Sequence, residues 1–265
     1  MNRYIPEPLE EEIRDRYYLV LARDISDIKL KADKLEKKAL ATMAQIHSFR
    51  MEHPELRVPF CVPKNSHKKS IRRGFENLKQ AYKWGVRNFN PNEFNESFVR
   101  GIAGRILPEI YDRPLAQYRT TGTSITGSST TPPYPSKLTQ KEIPHFERAM
   151  KEKLKSPYEI DRVEAAIFAH FHIARMHPFV DGNGRTSRLV QDVILNHFGF
   201  PLPLIEVGER NTYYNLLDAA IVDWKAQNNW DNDLITKGER NFYMFMAGKV
   251  NSSLDKLTCA LEIEH

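Results

Sequence analysis

The sequence predicts a mainly α-helical domain with a small β-hairpin flap and an N-terminal helical extension. Apolar residues recur at helical spacing over most of the chain. The stretch 118–135 differs, because threonines alternate there with small residues until the proline pair Pro132-Pro133 ends the pattern. The chain has 265 residues, of which 41% are hydrophobic and 28% charged. This length and composition suit one folded body with a sizeable core.

The extension is predicted over residues 1–95. Apolar periodicity indicates two helices between residues 10 and 52, the second ending before Pro54. A third helical pattern covers 71–86 and overlaps the basic run 64–73. Such a run is usually a solvated face, so it does not by itself indicate a nucleic-acid site.

The core is predicted over 96–230 and a C-terminal helix over 231–265. The helical patterns of these two parts are 92–107 with Asn92 as N-cap, 139–153, 158–176, 185–197, 211–226 and 238–261. No clean linker separates the parts, so we expect them to pack together.

Charge and cysteine content restrict the function classes. The net charge of +5 and the pI of about 9.0 suit a polyanion such as a nucleotide, without demanding nucleic acid. Cys61 and Cys259 lie far apart without CxxC spacing, which indicates free thiols in a reducing compartment. No apolar signal core or membrane span is found. We therefore expect a cytoplasmic protein, with export by a route that cleaves no signal left open.

The segment 177–188 concentrates groups that bind phosphate. An apolar helical pattern runs into His177, and Gly182-Asn183-Gly184 then leads into another helix. Glycines allow the backbone to approach a ligand, and N–H groups at a helix start attract anions. Arg185 and Arg188 lie three residues apart, so both project toward the same anion as planar donor forks.

A metal ligand and a base complete the set. Asp181 is a hard oxygen ligand of the kind that Mg²⁺ on a pyrophosphate prefers. His177 has an ordinary pKa near ~6.5, which suits a general base at neutral pH. Each residue alone has a structural explanation, but their conjunction predicts a magnesium-nucleotide site for phosphoryl-type transfer.

The segment HPFVDGNGRTSR resembles the Fic family, whose signature HPFx(D/E)GNGRxxR it fits at every position. His170, Ile173 and Met176 fit the helix before the motif, and the flap 118–135 is similar to the family's flap. The resemblance covers about 98–226 and implies a Fic-type helical bundle core.

The resemblance implies transfer of AMP from ATP to a Ser, Thr or Tyr hydroxyl of a target protein, with self-modification. His177 would deprotonate the hydroxyl, Asp181 would hold Mg²⁺, and Arg188 would hold the γ-phosphate. The groups implied for the α- and β-phosphates are Gly182, Asn183, Gly184 and Arg185.

The flap and a tyrosine pair would form the nucleoside side. The residues implied next to adenine are Gly127, Ser128, Ser129 and Thr130. Tyr213 and Tyr214 would flank the nucleoside, whereas Ile221 stands where relatives often carry Asn. The target protein is expected to dock on the flap by strand addition.

Many Fic proteins carry an inhibitory helix with the pattern (S/T)xxxE(G/N), whose Glu pairs with the second motif Arg. Ser48 to Glu52 fits this pattern except that His53 follows, within a predicted inhibitory helix 35–53. Thr258 to Glu262 also fits except that Ile263 follows, but only the first match lies upstream of the flap, where N-terminal inhibitory helices of the family occur. We select Glu52 as the inhibitory candidate, with Glu262, a separate chain or no inhibitor as alternatives.

Other functions stay open at this stage. The same site supports removal of AMP from modified proteins, or transfer of another phosphate-containing group. The intact Gly182-Asn183-Gly184 favours AMP over phosphate or phosphocholine. A non-catalytic, nucleic-acid-associated regulator using the run 64–73 is a minor alternative, since no separate helix-turn-helix is found. Assembly into a homo-oligomer is left open.

Overall fold

A computed structural model describes residues 3–22, 27–52, 66–111, 114–125, 128–227, 230 and 234–262. Helices account for most of these residues, as predicted, and none of the described residues forms a β-strand. Within the same ranges, no helix is long and apolar enough to cross a membrane.

The helices follow the predicted order, with small changes in their bounds. They are α1 (Glu7–Ala22), α2 (Asp27–Glu52), α3 (Ser66–Asn88), α4 (Glu96–Ile106), α5 (Pro135–Lys137), α6 (Ile143–Lys153), α7 (Glu159–Met176), α8 (Asn183–His197), α9 (Arg210–Gln227) and α10 (Lys237–Glu262). A π-helical stretch, Leu138–Glu142, joins α5 to α6, and 3-10 turns lie at Pro91–Glu93 and Val207–Glu209.

Helix α7 is the centre of the bundle. Every residue from Val163 to Met176 is buried, as expected for a helix that has neighbours on all sides. It packs against α8 most extensively, and also against α6, α10 and α1. The segment 177–188 therefore begins where the most buried helix ends and continues into its main packing partner.

The N-terminal extension packs into the same body as the core. Helix α1 lies against α10 and α7, and α2 contacts α3, α8 and α10. Buried Phe49 and Met51 anchor the last turns of α2 in the core. This packing carries the C-terminal end of α2 to the start of α8.

The predicted N-cap Asn92 is wrong. Asn95 caps α4, since its side-chain oxygen accepts a hydrogen bond from the Phe98 N–H at 3.2 Å. Asn92 lies in the preceding 3-10 turn, where its N–H donates to Asn90 Oδ1. Both asparagines precede the apolar run, and Asn95 is the one whose side-chain oxygen caps an N–H of the first turn of α4.

Within the flap, the described residues 118–125 and 128–134 are irregular, Pro135 begins α5, and the predicted hairpin is not seen there. Side chains take up the backbone groups that cross-strand pairing would need. The carbonyls of Thr121 and Pro133 accept hydrogen bonds from the Arg119 guanidinium. The Ser129 N–H donates to Asp218 of α9 instead of to an opposing strand.

Candidate active site

His177 ends α7 in an unusual backbone conformation. Its φ of 47° and ψ of 57° are left-handed, and His177 is the single non-glycine residue with positive φ among those described. Such a conformation costs about 1–3 kcal/mol and persists only where its surroundings enforce it. Here the His177 N–H still donates to Ile173 O at 3.1 Å, while its carbonyl accepts from Arg119 Nε at 2.7 Å. The turn places the imidazole at the mouth of the loop that follows.

The pKa of His177 is lowered by burial, and the positive charge of Arg119 lowers it further. A hydrogen bond with the Ala174 backbone and the carboxylates of Asp181 and Glu52 oppose this shift. The imidazole is therefore neutral at neutral pH and free to accept a proton.

Phe179 anchors the loop in the core. Its ring is fully buried and lies 5.8 Å from the Tyr118 ring, stacked. The Asn183 side chain brackets the Phe179 backbone, accepting from its N–H and donating to its carbonyl, both at 2.9 Å. Asn183 thus fixes the loop with its amide and keeps only its backbone N–H for an anion.

The glycines keep the start of α8 accessible. Gly182 has φ of 79°, and a side chain there would lie 3.1 Å from Leu107. At Gly184 a Cβ atom would sit 3.2 Å from Glu52 Oε1 and 3.3 Å from Arg188 Nη1. Gly184 thus leaves the space beside the first turn of α8 to a ligand, whereas Gly182 supplies the positive φ of the turn into α8.

Asp181 presents its carboxylate to solvent. Its side chain is 59% exposed and lies 3.8 Å from the Arg185 guanidinium. The Tyr111 hydroxyl fixes its backbone, donating to Asp181 O at 2.9 Å and accepting from Asp181 N at 3.2 Å.

This site fits Mg²⁺ carried in by a nucleotide. The described residues contain no group of three or more His, Cys, Asp or Glu that could hold a metal ion alone. Mg²⁺ commonly uses one or two carboxylates together with substrate phosphates and water. A single exposed carboxylate, that of Asp181, beside a helix start meets that requirement.

Arg188 is the most buried cation of the motif. Its side chain is 4% exposed, and its Nη2 donates to Glu52 Oε1 at 2.8 Å. Its Nε donates to Ser48 Oγ at 2.8 Å. Its Nη1 is buried without a hydrogen-bond partner and faces Gly184. An unpaired buried donor in this position is suited to a phosphate oxygen.

The tyrosine pair divides into a buried and a half-buried member. Tyr213 is 1% exposed, and its hydroxyl lies 2.8 Å from His170 Nε2. Burial lowers the pKa of His170 to about 3, so its neutral ring joins Tyr213 to Gln191. Tyr214 keeps part of its ring accessible and faces Arg210, whereas Ile221 is buried in the core. Of the pair, Tyr214 is therefore the one with surface for a nucleoside.

The flap is held against α9 by Asp218. The carboxylate accepts from the hydroxyl of Ser128, and from the N–H and hydroxyl of Ser129 at 3.2 and 2.9 Å. Thr130 N–H in turn donates to Ser128 Oγ at 3.1 Å. The described flap residues 128–130 thus lie over the helix that carries Tyr214, with Asp218 one turn further on.

Comparison with known proteins identifies this arrangement. Residues 93–195 match the family model described as Fic/DOC family. Over these residues the chain is similar to a Fic/DOC domain. The protein adenylyltransferase Fic of Nematostella vectensis is 34% identical over 119 residues, which are 45% of this chain and 27% of that protein. The protein adenylyltransferase fic-1 of Caenorhabditis elegans is 43% identical over 65 residues, 24% of this chain and 13% of that protein.

Solved structures share the fold over nearly the whole chain. A Fic-domain-containing signaling protein from Bacteroides thetaiotaomicron has a TM-score of 0.67 at 18% identity, covering 93% of this chain and 95% of that one. A Fic family protein from Desulfovibrio desulfuricans has a TM-score of 0.69 at 15% identity, covering 98% and 77%. The chain spans 27% or less of the curated relatives named above.

Three residues that shape the candidate site were not predicted from the sequence. Tyr111 fixes Asp181, Arg119 holds His177, and Asp218 holds the flap. Only Asp218 had a local signal, because it lies four residues after Tyr214 on the same helix face.

Several other predictions concern residues or side chains that lie outside the described part of the chain. Gly127 and Cys61 lie outside the described residues, as do the side chains of Cys259 and Glu262. Within the basic run 64–73, Arg72 and Arg73 are described, and both are exposed.

Proposed function

We propose that the chain is a protein adenylyltransferase, which moves AMP from ATP to a hydroxyl side chain of a target protein and of itself. The proposal rests on one group of neighbouring residues. A neutral His177 stands at the mouth of a loop that leads into a helix start flanked by Arg185 and Arg188. Its relatives from Nematostella vectensis and Caenorhabditis elegans are named protein adenylyltransferases.

The proposed reaction consists of one proton transfer and one displacement at the α-phosphorus of ATP. His177 takes the proton of the acceptor hydroxyl, whose oxygen attacks the α-phosphorus of ATP. The bond from the α-phosphorus to the bridging oxygen breaks, and pyrophosphate leaves. AMP stays on the target as a phosphodiester, and His177 returns its proton to solvent or to the leaving group. A base of this kind contributes roughly 10²–10⁴-fold in rate.

The loop and α8 would hold the triphosphate. The backbone N–H groups of Gly182, Asn183 and Gly184 and the Arg185 side chain are assigned to the α- and β-phosphates. The Gly182 N–H, which donates to Asp181 Oδ1 at 2.5 Å, would exchange that partner for a phosphate oxygen. Arg188 is assigned to the γ-phosphate through Nη1, the donor that has no partner. Mg²⁺ on Asp181 would neutralise charge on the phosphates when it is bound.

The nucleoside would lie between the flap and α9. Ser128, Ser129 and Thr130 border this side together with Tyr214, while Tyr213 supports Tyr214 from the core. The flap would also receive an extended segment of the target by strand addition, which aligns a hydroxyl without fixing the target's sequence.

Glu52 would restrain the enzyme. Its carboxylate occupies Arg188 Nη2, the neighbour of the nitrogen assigned to the γ-phosphate. Like charges repel, so a γ-phosphate and Glu52 compete for the same guanidinium. Release of Glu52 would therefore raise the transfer rate.

The Glu52 contact also favours a second candidate function at the same site. A carboxylate 36% exposed beside the motif is able to orient a water molecule. That water would attack an AMP-modified side chain and release AMP. Removal of AMP from a modified protein would then require Glu52, whereas AMP transfer would be inhibited by it.

Radiolabelled ATP separates these functions. Wild type and His177→Ala are incubated with Mg²⁺ and ATP labelled at either the α- or the γ-phosphate. We expect label on protein from α-labelled ATP only, and none with His177→Ala. Transfer from γ-labelled ATP would replace adenylyl transfer by a kinase activity.

A further inference from the structure

One buried side chain joins both ends of the flap to the residues that carry His177. Arg119 is 3% exposed, and its guanidinium donates to the carbonyls of Thr121 and Pro133, one near each end of the flap. The same guanidinium donates to the carbonyls of His177 at 2.7 Å and Met176 at 3.4 Å. Its backbone N–H donates to Pro178 O at 2.9 Å.

These partners are all neutral carbonyl oxygens, and no described carboxylate is among them. A buried guanidinium without a counter-ion is costly, and burial lowers the pKa of Arg119 accordingly. The planar Arg119 guanidinium donates to carbonyls of two separate segments, so it fixes their relative position without forming an ion pair. Arg119 is therefore built to fix positions.

The position most in need of fixing is the turn of Met176–Pro178. His177 adopts the left-handed conformation there, which a side chain with a Cβ atom disfavours. The Arg119 Nε bond to the His177 carbonyl opposes relaxation of that backbone. The other end of the fork holds the flap, on which the target is proposed to dock.

We propose that Arg119 is a positioning residue for adenylyl transfer, locking the flap and the His177 turn into one unit. A target hydroxyl aligned on the flap is thereby brought to the imidazole in a fixed geometry. Arg119 itself reaches neither the nucleotide groups assigned above nor the reacting atoms. This inference rests on the proposed function, and its test separates the two.

The test compares Arg119→Lys and Arg119→Gln, each in a Glu52→Gly parent that lacks the Arg188 ion pair. Self-modification is followed at saturating ATP, and ATP affinity is measured by calorimetry. Lys reaches fewer of the carbonyls, and Gln loses the charge as well. A misplacement near 1 Å lowers the rate of transfer by roughly 100-fold. We expect a loss of that order in both variants, with ATP affinity changed by less than about threefold.

Arg100→Lys is the matched control. Arg100 also donates to a backbone carbonyl, that of Ala116 at 2.9 Å, and its guanidinium lies 5.3 Å from the Tyr118 ring at the start of the flap, but it makes no described hydrogen bond to residues 176–178. The Arg100→Lys variant should transfer AMP at the parent's rate.

The dependence of the transfer rate on pH gives a second readout. The positive charge of Arg119 lowers the pKa of His177, so Arg119→Gln should shift the acid limb of the rate profile to higher pH, whereas Arg119→Lys should not.

The outcomes are distinguishable. If the Glu52→Gly parent shows no AMP transfer that depends on His177, the proposed function itself is rejected. A parent that transfers AMP, with Arg119 variants equally fast, rejects the positioning role. The role is also rejected if ATP affinity falls in step with the rate, or if Arg100→Lys loses as much activity. If Arg119→Gln does not fold, Arg119→Lys decides alone.

Discussion

Glu52 at the end of α2 and Arg188 in α8 form an ion pair with an N–O distance of 2.8 Å across 136 residues of sequence. Ser48, one turn before Glu52, supports it by accepting from Arg188 Nε through its hydroxyl. The pair links the N-terminal extension to the helix that follows the loop 177–182. It is the contact through which the extension is proposed to control the Fic domain.

Removing the Glu52 carboxylate should activate transfer. Glu52→Gly leaves Arg188 free for the γ-phosphate, and we expect self-labelling from α-labelled ATP to rise about tenfold or more, equivalent to ~1.4 kcal/mol. Glu11→Gln, an exposed position on α1, is the control and should not change labelling. An unchanged rate in Glu52→Gly would remove Glu52 as the inhibitor and direct attention to Glu262.

The Tyr111 hydroxyl should matter for magnesium-dependent nucleotide binding. Tyr111→Phe removes both hydrogen bonds to the Asp181 backbone, each worth about 1 kcal/mol. We expect ATP affinity to fall about fivefold or more in Mg²⁺, and to change little in EDTA. Calorimetry with each solution measures this. Tyr158→Phe, whose ring is 61% exposed, serves as the control. Equal losses in Mg²⁺ and EDTA would contradict the link to Asp181.

Asp192 should make stability depend on pH. Burial raises its pKa to about 8, although the Arg188 charge opposes the shift, while an unfolded Asp titrates near ~3.9. The native carboxyl therefore keeps its proton where the unfolded one has lost it, and stability falls as pH rises from ~4 to 8. Asp192→Asn does not titrate, so its gain in unfolding free energy over wild type should grow across that range.

The gain should reach about 1–3 kcal/mol at pH 8, below the full value of the shift because Arg188 favours the ionised form. Urea unfolding of both proteins at about pH 4.5, 6 and 8 measures this difference in unfolding free energy. A difference that is constant or shrinks with pH would show that the carboxyl is ionised in the native state.

Phe179 should contribute mainly to stability. Its fully buried ring stacks on Tyr118, and truncation of such a ring typically costs about 3–5 kcal/mol. Phe179→Ala should lower the melting temperature strongly. Val180→Ala, at the next position with 65% exposure, should leave it nearly unchanged. Similar melting temperatures for the two variants would mean that Phe179 does not anchor the loop.

The sequence predicted those features that local patterns determine. Helix periodicity located the helices, and the twelve residues from His177 to Arg188 identified the loop because their chemistry is contiguous. The resemblance to the family's inhibitory pattern singled out Ser48 and Glu52, and in the structure both contact Arg188 from one face of α2.

Features set by distant partners could not be predicted in this way. The flap sequence suits a strand by propensity, but Arg119 and Asp218 take up its backbone groups and no strand forms in its described part. Tyr111 acts on a residue 70 positions away, which no local pattern reveals. Burial of Tyr213 likewise follows from its bond to His170, while Tyr214 beside it stays accessible.

Intact-mass spectrometry tests the central claim most directly. The Glu52→Gly protein is incubated with ATP and Mg²⁺, beside the same protein carrying His177→Ala. The account predicts a mass gain of one AMP moiety or a multiple of it, mapped to a Ser, Thr or Tyr hydroxyl, and no gain with His177→Ala. A gain corresponding to phosphate alone, or an equal AMP gain without His177, would contradict adenylyl transfer by this loop.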